Sequence, residues 1–217
     1  MKIGLIDVDG RKFPNIALMK ISAWHKSIGD SVEWYTPFEH YDTVFVAKVF
    51  SFTEDWNEPI NADMVIYGGS GYQINTIEGK EIWDGLVLDK KFFIQKLPPQ
   101  VEHIYPDYSL YPSLTKDTAY GFLTRGCPRG CGFCHVAKKE GRKSVKVADL
   151  TEFWNGQKNI VLCDPNILAC KDWKELLQQL IDSKAAVDFN QGLDIRMMTE
   201  EKAQMLSRVK IKEIHFA

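Results

Sequence analysis

Three thiols crowd one short stretch, "RGCPRGCGFCH", where Cys127, Cys131 and Cys134 fall within eight residues. Four kinds of chemistry use cysteines at such spacing. Buried thiols can simply pack as small hydrophobes. The residues between them here are Pro, Arg, Gly, Gly and Phe, however, a loop composition and not that of a core strand. Cys131-Gly-Phe-Cys134-His135 fits the C-x-x-C-H pattern of covalent haem attachment, which leaves Cys127 without a role. Structural zinc asks for four closed ligands, and His135, adjacent to Cys134, is poorly placed to chelate the same ion. An iron–sulfur cluster is held by thiolates, and a glycine-rich loop lets the backbone wrap close to it. Three cysteines on a four-iron cluster leave one iron open, and an open position on a metal centre is where a substrate binds.

The rest of the chain sets bounds on these readings. It has 217 residues, 45% of them hydrophobic and 26% charged, as in an ordinary globular protein of one or two domains. The net charge of −2 argues against a protein built to coat nucleic acid. Charge is divided unevenly. Residues 1–117 carry 11 Lys+Arg against 17 Asp+Glu, and residues 118–217 carry 16 against 12, so the cysteines lie in the positive half. "MKIGLIDVDG" is interrupted by Asp7 and Asp9 and is no signal peptide, and no apolar run is long enough to span a membrane. These features point to the cytoplasm, where thiols stay reduced. Five cysteines, an odd number, fit a disulfide framework badly.

Two series of alternating elements must position the cysteines. "KIGLIDV", "SVEWYT", "TVFVAKVF" and "DMVIYGGSGY" read as strands, and Ile16, Met19, Lys20, Ala23 and Trp24 recur near helical spacing before Gly29. This predicts a small Rossmann-like parallel α/β domain over residues 1–75. Residues 76–117 include "KLPPQVEHIYPDYSLYPSL", whose four prolines suggest an extended connector. From 118 onward "TAYGFLT", "NIVLC", "AAVDF" and "KEIHFA" read as strands. Between them "VADLTEFW" reads as a short helix, Trp173, Leu176, Leu177, Leu180 and Ile181 mark one helical face, and Thr199 caps a third helix. The cysteine loop, "DPN" and "NQGLDIR" each follow an apolar strand. In parallel α/β proteins the loops at the carboxyl ends of strands share one rim, so these three segments are expected to meet.

Cys127-x3-Cys131-x2-Cys134, in the loop after the first strand of an α/β series and with Phe133 just before the last cysteine, resembles the radical S-adenosylmethionine (radical SAM) superfamily. The resemblance implies the first part of a (βα)6 partial barrel over residues 118–217. It implies a [4Fe–4S] cluster on the three cysteines and S-adenosylmethionine on the open iron. It also implies an electron donor such as flavodoxin or ferredoxin, and a 5′-deoxyadenosyl radical that attacks a substrate the sequence does not name. The preceding α/β domain, joined through "PDYSLYP", is similar to the cobalamin-binding-domain group of that superfamily. The D-x-H-x-x-G motif of that group is not present in residues 1–75, and His25 and His40 lie in no such pattern, so the domain fold is expected without histidine-ligated cobalamin.

Where the family often has Gly-Gly-Glu after its second strand, this chain has Cys163-Asp164-Pro165-Asn166. Asp164 or Asn166 can accept from the ammonium of S-adenosylmethionine, and the same residues suit a plain turn. Arg196 can grip its carboxylate bidentately, or form an ordinary ion pair, and Gln191 is a further candidate contact. Cys163 and Cys170 read as packing residues, and "KKEGRK" as a solvated loop. Three βα units and the start of a fourth strand are counted against the six of the family core, so the missing barrel half is an expected partner and weak or absent cleavage of S-adenosylmethionine an expected property. A metal-binding interaction domain without turnover is the competing reading.

Overall fold

The computed structural model describes residues 1–77, 80–83 and 90–216, and it divides into two compact units, Met1–Tyr111 and Pro112–Ala217. In the first unit β1 (Lys2–Asp7), β2 (Ser31–Trp34), β3 (Tyr41–Ala47), β4 (Ala62–Gly68) and β5 (Phe93–Ile94) form one sheet in the order β2-β1-β3-β4-β5, with every pair parallel. β1 and β3 are each buried over a continuous apolar run, as strands covered on both faces must be. Ile6, Tyr41, Val44 and Val46 form a core against which Val8, Tyr35 and Trp56 pack.

Helix α1 (Ile16–Ser27) crosses from β1 to β2. Asn15 caps it, its side chain accepting from the Leu18 amide, and Leu18, Met19 and Ile21 form its buried face. No helix occupies the segment between β3 and β4. Instead Asp9, after β1, accepts hydrogen bonds from the backbone of Val49 and Phe50 and from Thr53 Oγ1, tying that segment to the loop after β1.

The proline-rich stretch is more structured than an extended connector. Pro98 and Pro99 open a helical turn over Pro99–Glu102, because proline fits the first helical position where no N–H is needed. Tyr108–Leu110 forms a 3-10 turn, and Asp107 of this stretch accepts from Ser22 Oγ and Lys26 Nζ of α1. Tyr111 donates its hydroxyl to Asp7 at 2.7 Å. Ile74–Ile77 pairs with Lys80–Trp83 as an antiparallel ribbon.

The second unit is a four-stranded parallel sheet in sequential order: β6 (Thr118–Gly121), β7 (Asn159–Leu162), β8 (Ala186–Phe189) and β9 (Ile211–Glu213). α2 (Trp173–Ser183) fully buries Leu176, Leu177 and Leu180, the face that the periodicity marks. Burial of each leucine contributes about 2 kcal/mol before entropy is counted. α3 (Glu200–Leu206) begins at Thr199, whose hydroxyl accepts from the Lys202 amide. "VADLTEFW" differs from the expected helix. It makes one 3-10 turn, Leu150–Glu152, stabilised by a capping box in which Asp149 and Glu152 exchange hydrogen bonds. Asn155 and Gly156 then turn the chain before a helix can propagate. Among the described residues no helix is long and apolar enough to cross a membrane.

Candidate metal centre

The cysteine loop begins at the carboxyl end of β6. Its neck is a two-residue antiparallel ladder, Thr124–Arg125 with Val145–Lys146. Below the neck lies Asp164, buried at 4% exposure, whose carboxylate accepts from the backbone amides of Leu123 and Thr124 and from Thr124 Oγ1. Burial pushes this carboxyl up to about 6, against the pull of Thr124 and of the two backbone N–H groups. Above the neck Glu140 accepts from Arg125 at 2.9 Å and from the Gly126 amide at 3.0 Å, and the Cys127 amide donates to Gly141. The loop thus folds back on the 140–143 segment, and Cys127 is fixed by its own backbone. Cys131 and Cys134 close a tight turn, the Cys134 amide donating to the Cys131 carbonyl.

All five cysteines are free. Cys127, Cys131 and Cys134 are partly exposed. Cys163 is buried, and burial, with Asp164 beside it, pushes its thiol up to about 12, so it remains protonated and inert at neutral pH. Cys170 is also buried. Among the described residues no three His, Cys, Asp or Glu side chains are drawn to the spacing of a single-ion site.

The expected convergence of the loops is partly realised. Asn166, after β7, lies 3% exposed with its Nδ2 at 3.6 Å from Cys127 Sγ and 3.2 Å from Asp194 Oδ2. The backbone carbonyl of Asn166 accepts from Ser144 Oγ at the loop's far end. Asp194, after β8, receives Arg129 Nε of the cysteine loop at 2.7 Å and Arg196 Nε at 2.6 Å. The hydrogen bond to Asp194 raises the Arg196 guanidinium above its ordinary value, with a smaller electrostatic contribution from the side of Cys131 and Cys127. Gln191 and Phe133 are exposed, Phe133 at 88%.

Asp194, Arg129 and Glu140 were not singled out by the sequence reading. Asp194 and Arg129 do lie inside the two polar stretches that drew notice, but nothing in a linear pattern says that residues 65 positions apart will pair.

Burial works to raise the Asp194 carboxyl, but hydrogen bonds from Arg196, Arg129 and Asn166 outweigh it and hold the group at about 2. The folded-state value is below the free value of 3.8, so the network's contribution is fully present above pH 4 and is lost as pH falls toward 2. The shift corresponds to about 2 kcal/mol. Denaturant unfolding of the metal-free protein between pH 5 and pH 2 is expected to lose that increment in the wild type and to lose less in Asp194→Asn. Parallel curves would contradict this account.

Two solved structures are similar over the whole chain. Both are of TsrM, a radical S-adenosylmethionine methyltransferase from Kitasatospora setae. One, with tryptophan and a SAM analogue bound, has a TM-score of 0.64 at 11% identity, covering 100% of this chain and 59% of that one. The other, with cobalamin and a [4Fe–4S] cluster bound, has a TM-score of 0.61 at 11% identity, covering 100% and 58%. This chain therefore spans less than two thirds of the length of those it matches. No family model matches the chain, and no curated protein matches it in sequence.

A parallel α/β unit followed by a second unit with a sequential parallel sheet is the fold class that the sequence suggested. More particularly, the fold is similar to that of the radical S-adenosylmethionine methyltransferase TsrM.

Proposed function

We propose that this protein is a radical SAM iron–sulfur protein in which Cys127, Cys131 and Cys134 hold a [4Fe–4S] cluster. The observation that carries the reading is three free thiols on one loop at the carboxyl end of the first strand of a sequential parallel sheet. The donor set fits: thiolates are the ligands of such clusters, and three of them leave one position for a substrate. Thiols bound to different irons of a cluster stand further apart than thiols sharing one ion. Asn166 is our choice for the acceptor facing the ammonium of S-adenosylmethionine, because its buried Oδ1 has no hydrogen-bond partner among the described residues. Asp164 is the weaker choice, since its oxygens already serve Leu123 and Thr124. Arg196 spends Nε on Asp194, which leaves its terminal nitrogens to meet the carboxylate. Phe133 and Gln191 complete the exposed rim as candidate contacts. When bound and given one electron by a donor such as flavodoxin or ferredoxin, the cluster supplies reductive cleavage of the sulfonium carbon–sulfur bond, giving methionine and a 5′-deoxyadenosyl radical.

Cobalamin ligated through His25 or His40 is not part of this proposal. His25 lies in the last turn of α1, where it hydrogen-bonds Asp30 just before β2 starts, and His40 immediately precedes β3. Both stand at the amino ends of the strands, whereas such sheets bind ligands at the carboxyl ends.

Anaerobic reconstitution with iron and sulfide is expected to load about four of each per chain. Dithionite reduction in the presence of S-adenosylmethionine should then release at most small amounts of 5′-deoxyadenosine and methionine, so the iron and sulfide content decides the reading. Stoichiometric zinc without sulfide would sink the proposal in favour of a metal-binding interaction domain.

A further inference from the structure

The Asn166 side chain is held in one setting by charge. A primary amide nitrogen carries two hydrogens, and here it faces two acceptors, Cys127 Sγ at 3.6 Å and Asp194 Oδ2 at 3.2 Å. Asp194 is an ionised carboxylate at neutral pH and can only accept. Turning the amide over would set Oδ1 against that carboxylate, so the nitrogen must stay on the side of the sulfur. Asp194 cannot swing away, because Arg129 and Arg196 hold both of its oxygens. At 5% side-chain exposure it is also shielded from competing water.

We propose that Asn166 sets the reduction potential of the iron–sulfur centre by donating an N–H to the Cys127 thiolate, with Asp194 as the positioning residue that keeps the amide nitrogen turned toward the sulfur. This rests on the iron–sulfur reading above. The direction follows from electrostatics. Reduction adds negative charge to the cluster and its sulfurs, and a hydrogen bond to an anion strengthens as that charge grows. The bond therefore stabilises the reduced form and raises the potential. A centre that must accept an electron from a soluble donor gains by it.

The test is an anaerobic redox titration, followed by electron paramagnetic resonance, of the reconstituted full chain as wild type, Asn166→Leu, Asp194→Asn and the double variant. Leucine keeps the shape of asparagine and removes the donor. Its midpoint is expected to move to more negative potential at unchanged iron and sulfide content. Asp194→Asn no longer dictates the amide's orientation, but it also removes a nearby negative charge, which by itself raises the midpoint. The negative shift caused by Asn166→Leu should therefore be smaller in the Asp194→Asn background than in the wild type. An unchanged midpoint in Asn166→Leu overturns the proposal while leaving the iron–sulfur reading intact. Wild type that takes up no iron and sulfide overturns both. Should the leucine variant fail to load, the wild type decides the matter. Protein carrying ¹⁵N in its asparagine side-chain amides should show nitrogen hyperfine coupling in pulsed resonance of the reduced cluster, and its absence overturns the proposal.

Discussion

Cys131→Ala loses essentially all iron and sulfide on anaerobic reconstitution, whereas Cys163→Ala loads as wild type does. Both substitutions remove one thiol from the second unit, and the contrast comes from their surroundings. Cys131 lies on a loop between exposed neighbours, where its sulfur is accessible to a metal. Cys163 follows β7, is 9% exposed, and burial holds its thiol protonated. A three-thiolate site that loses one ligand keeps only two, too few to retain a cubane against competing thiols in solution. Cys163→Ala removes one buried sulfur and leaves a small cavity, at a cost of about 1 kcal/mol in stability. Iron and sulfide analysis, with absorbance of the reduced and oxidised forms, reads the first effect, and thermal unfolding reads the second. Equal loading by the two variants would mean that the cysteine loop is not the metal site.

Much of the fold was legible because buried parallel strands and amphipathic helices write strong local patterns. "KIGLIDV" and "TVFVAKVF" are apolar runs, and they became β1 and β3 at the centre of the first sheet. Leu176, Leu177 and Leu180 recur at helical spacing and are the fully buried face of α2. The rule that loops after parallel strands share a rim accounts for Asn166 lying beside Cys127. What failed was equally local in cause. "VADLTEFW" has the right residues for a helix, but Asn155 and Gly156 follow too soon for more than one turn. Pro98 and Pro99 read as helix breakers, yet proline at a helix start costs nothing. The Arg129–Asp194–Asn166 network escaped because its members come from three loops, and side-chain geometry across loops leaves no periodic trace. Asp164 and Asn166 illustrate the same limit. Two residues apart, both polar and both buried, they are told apart by what surrounds them. One is consumed by Leu123 and Thr124, and the other faces Cys127.

Gly126 and Gly132 both lie in the cysteine loop, and alanine at the two positions should have opposite consequences. Gly126 has a φ of 82°, in the left-handed region that costs an L-residue about 1–2 kcal/mol. A Cβ there would also fall well inside contact distance of the Lys143 carbonyl oxygen, which is backbone and cannot rotate aside. That carbonyl belongs to the segment that holds the loop: the Gly126 amide donates to Glu140, and the Cys127 amide to Gly141. Gly126→Ala must therefore push residues 126 and 127 off residues 140–143 and carry the Cys127 sulfur with them. The expected cost is about 3 kcal/mol, strain and clash together. For a chain of this size that lowers the melting midpoint by about 6–12 °C. Cluster loading should fall with it. At Gly132 a Cβ would meet nothing within 4 Å, and the residue does not adopt positive φ. Gly132→Ala should melt within about 1–2 °C of wild type, as substitutions without contacts do. Thermal unfolding of the metal-free proteins isolates the backbone effect from metal binding, and iron content after reconstitution then measures what the displacement of Cys127 does to the site. If both variants melt and load alike, the loop is not anchored through Gly126, and the placement of Cys127 must be set by something other than its contact with residues 140–143.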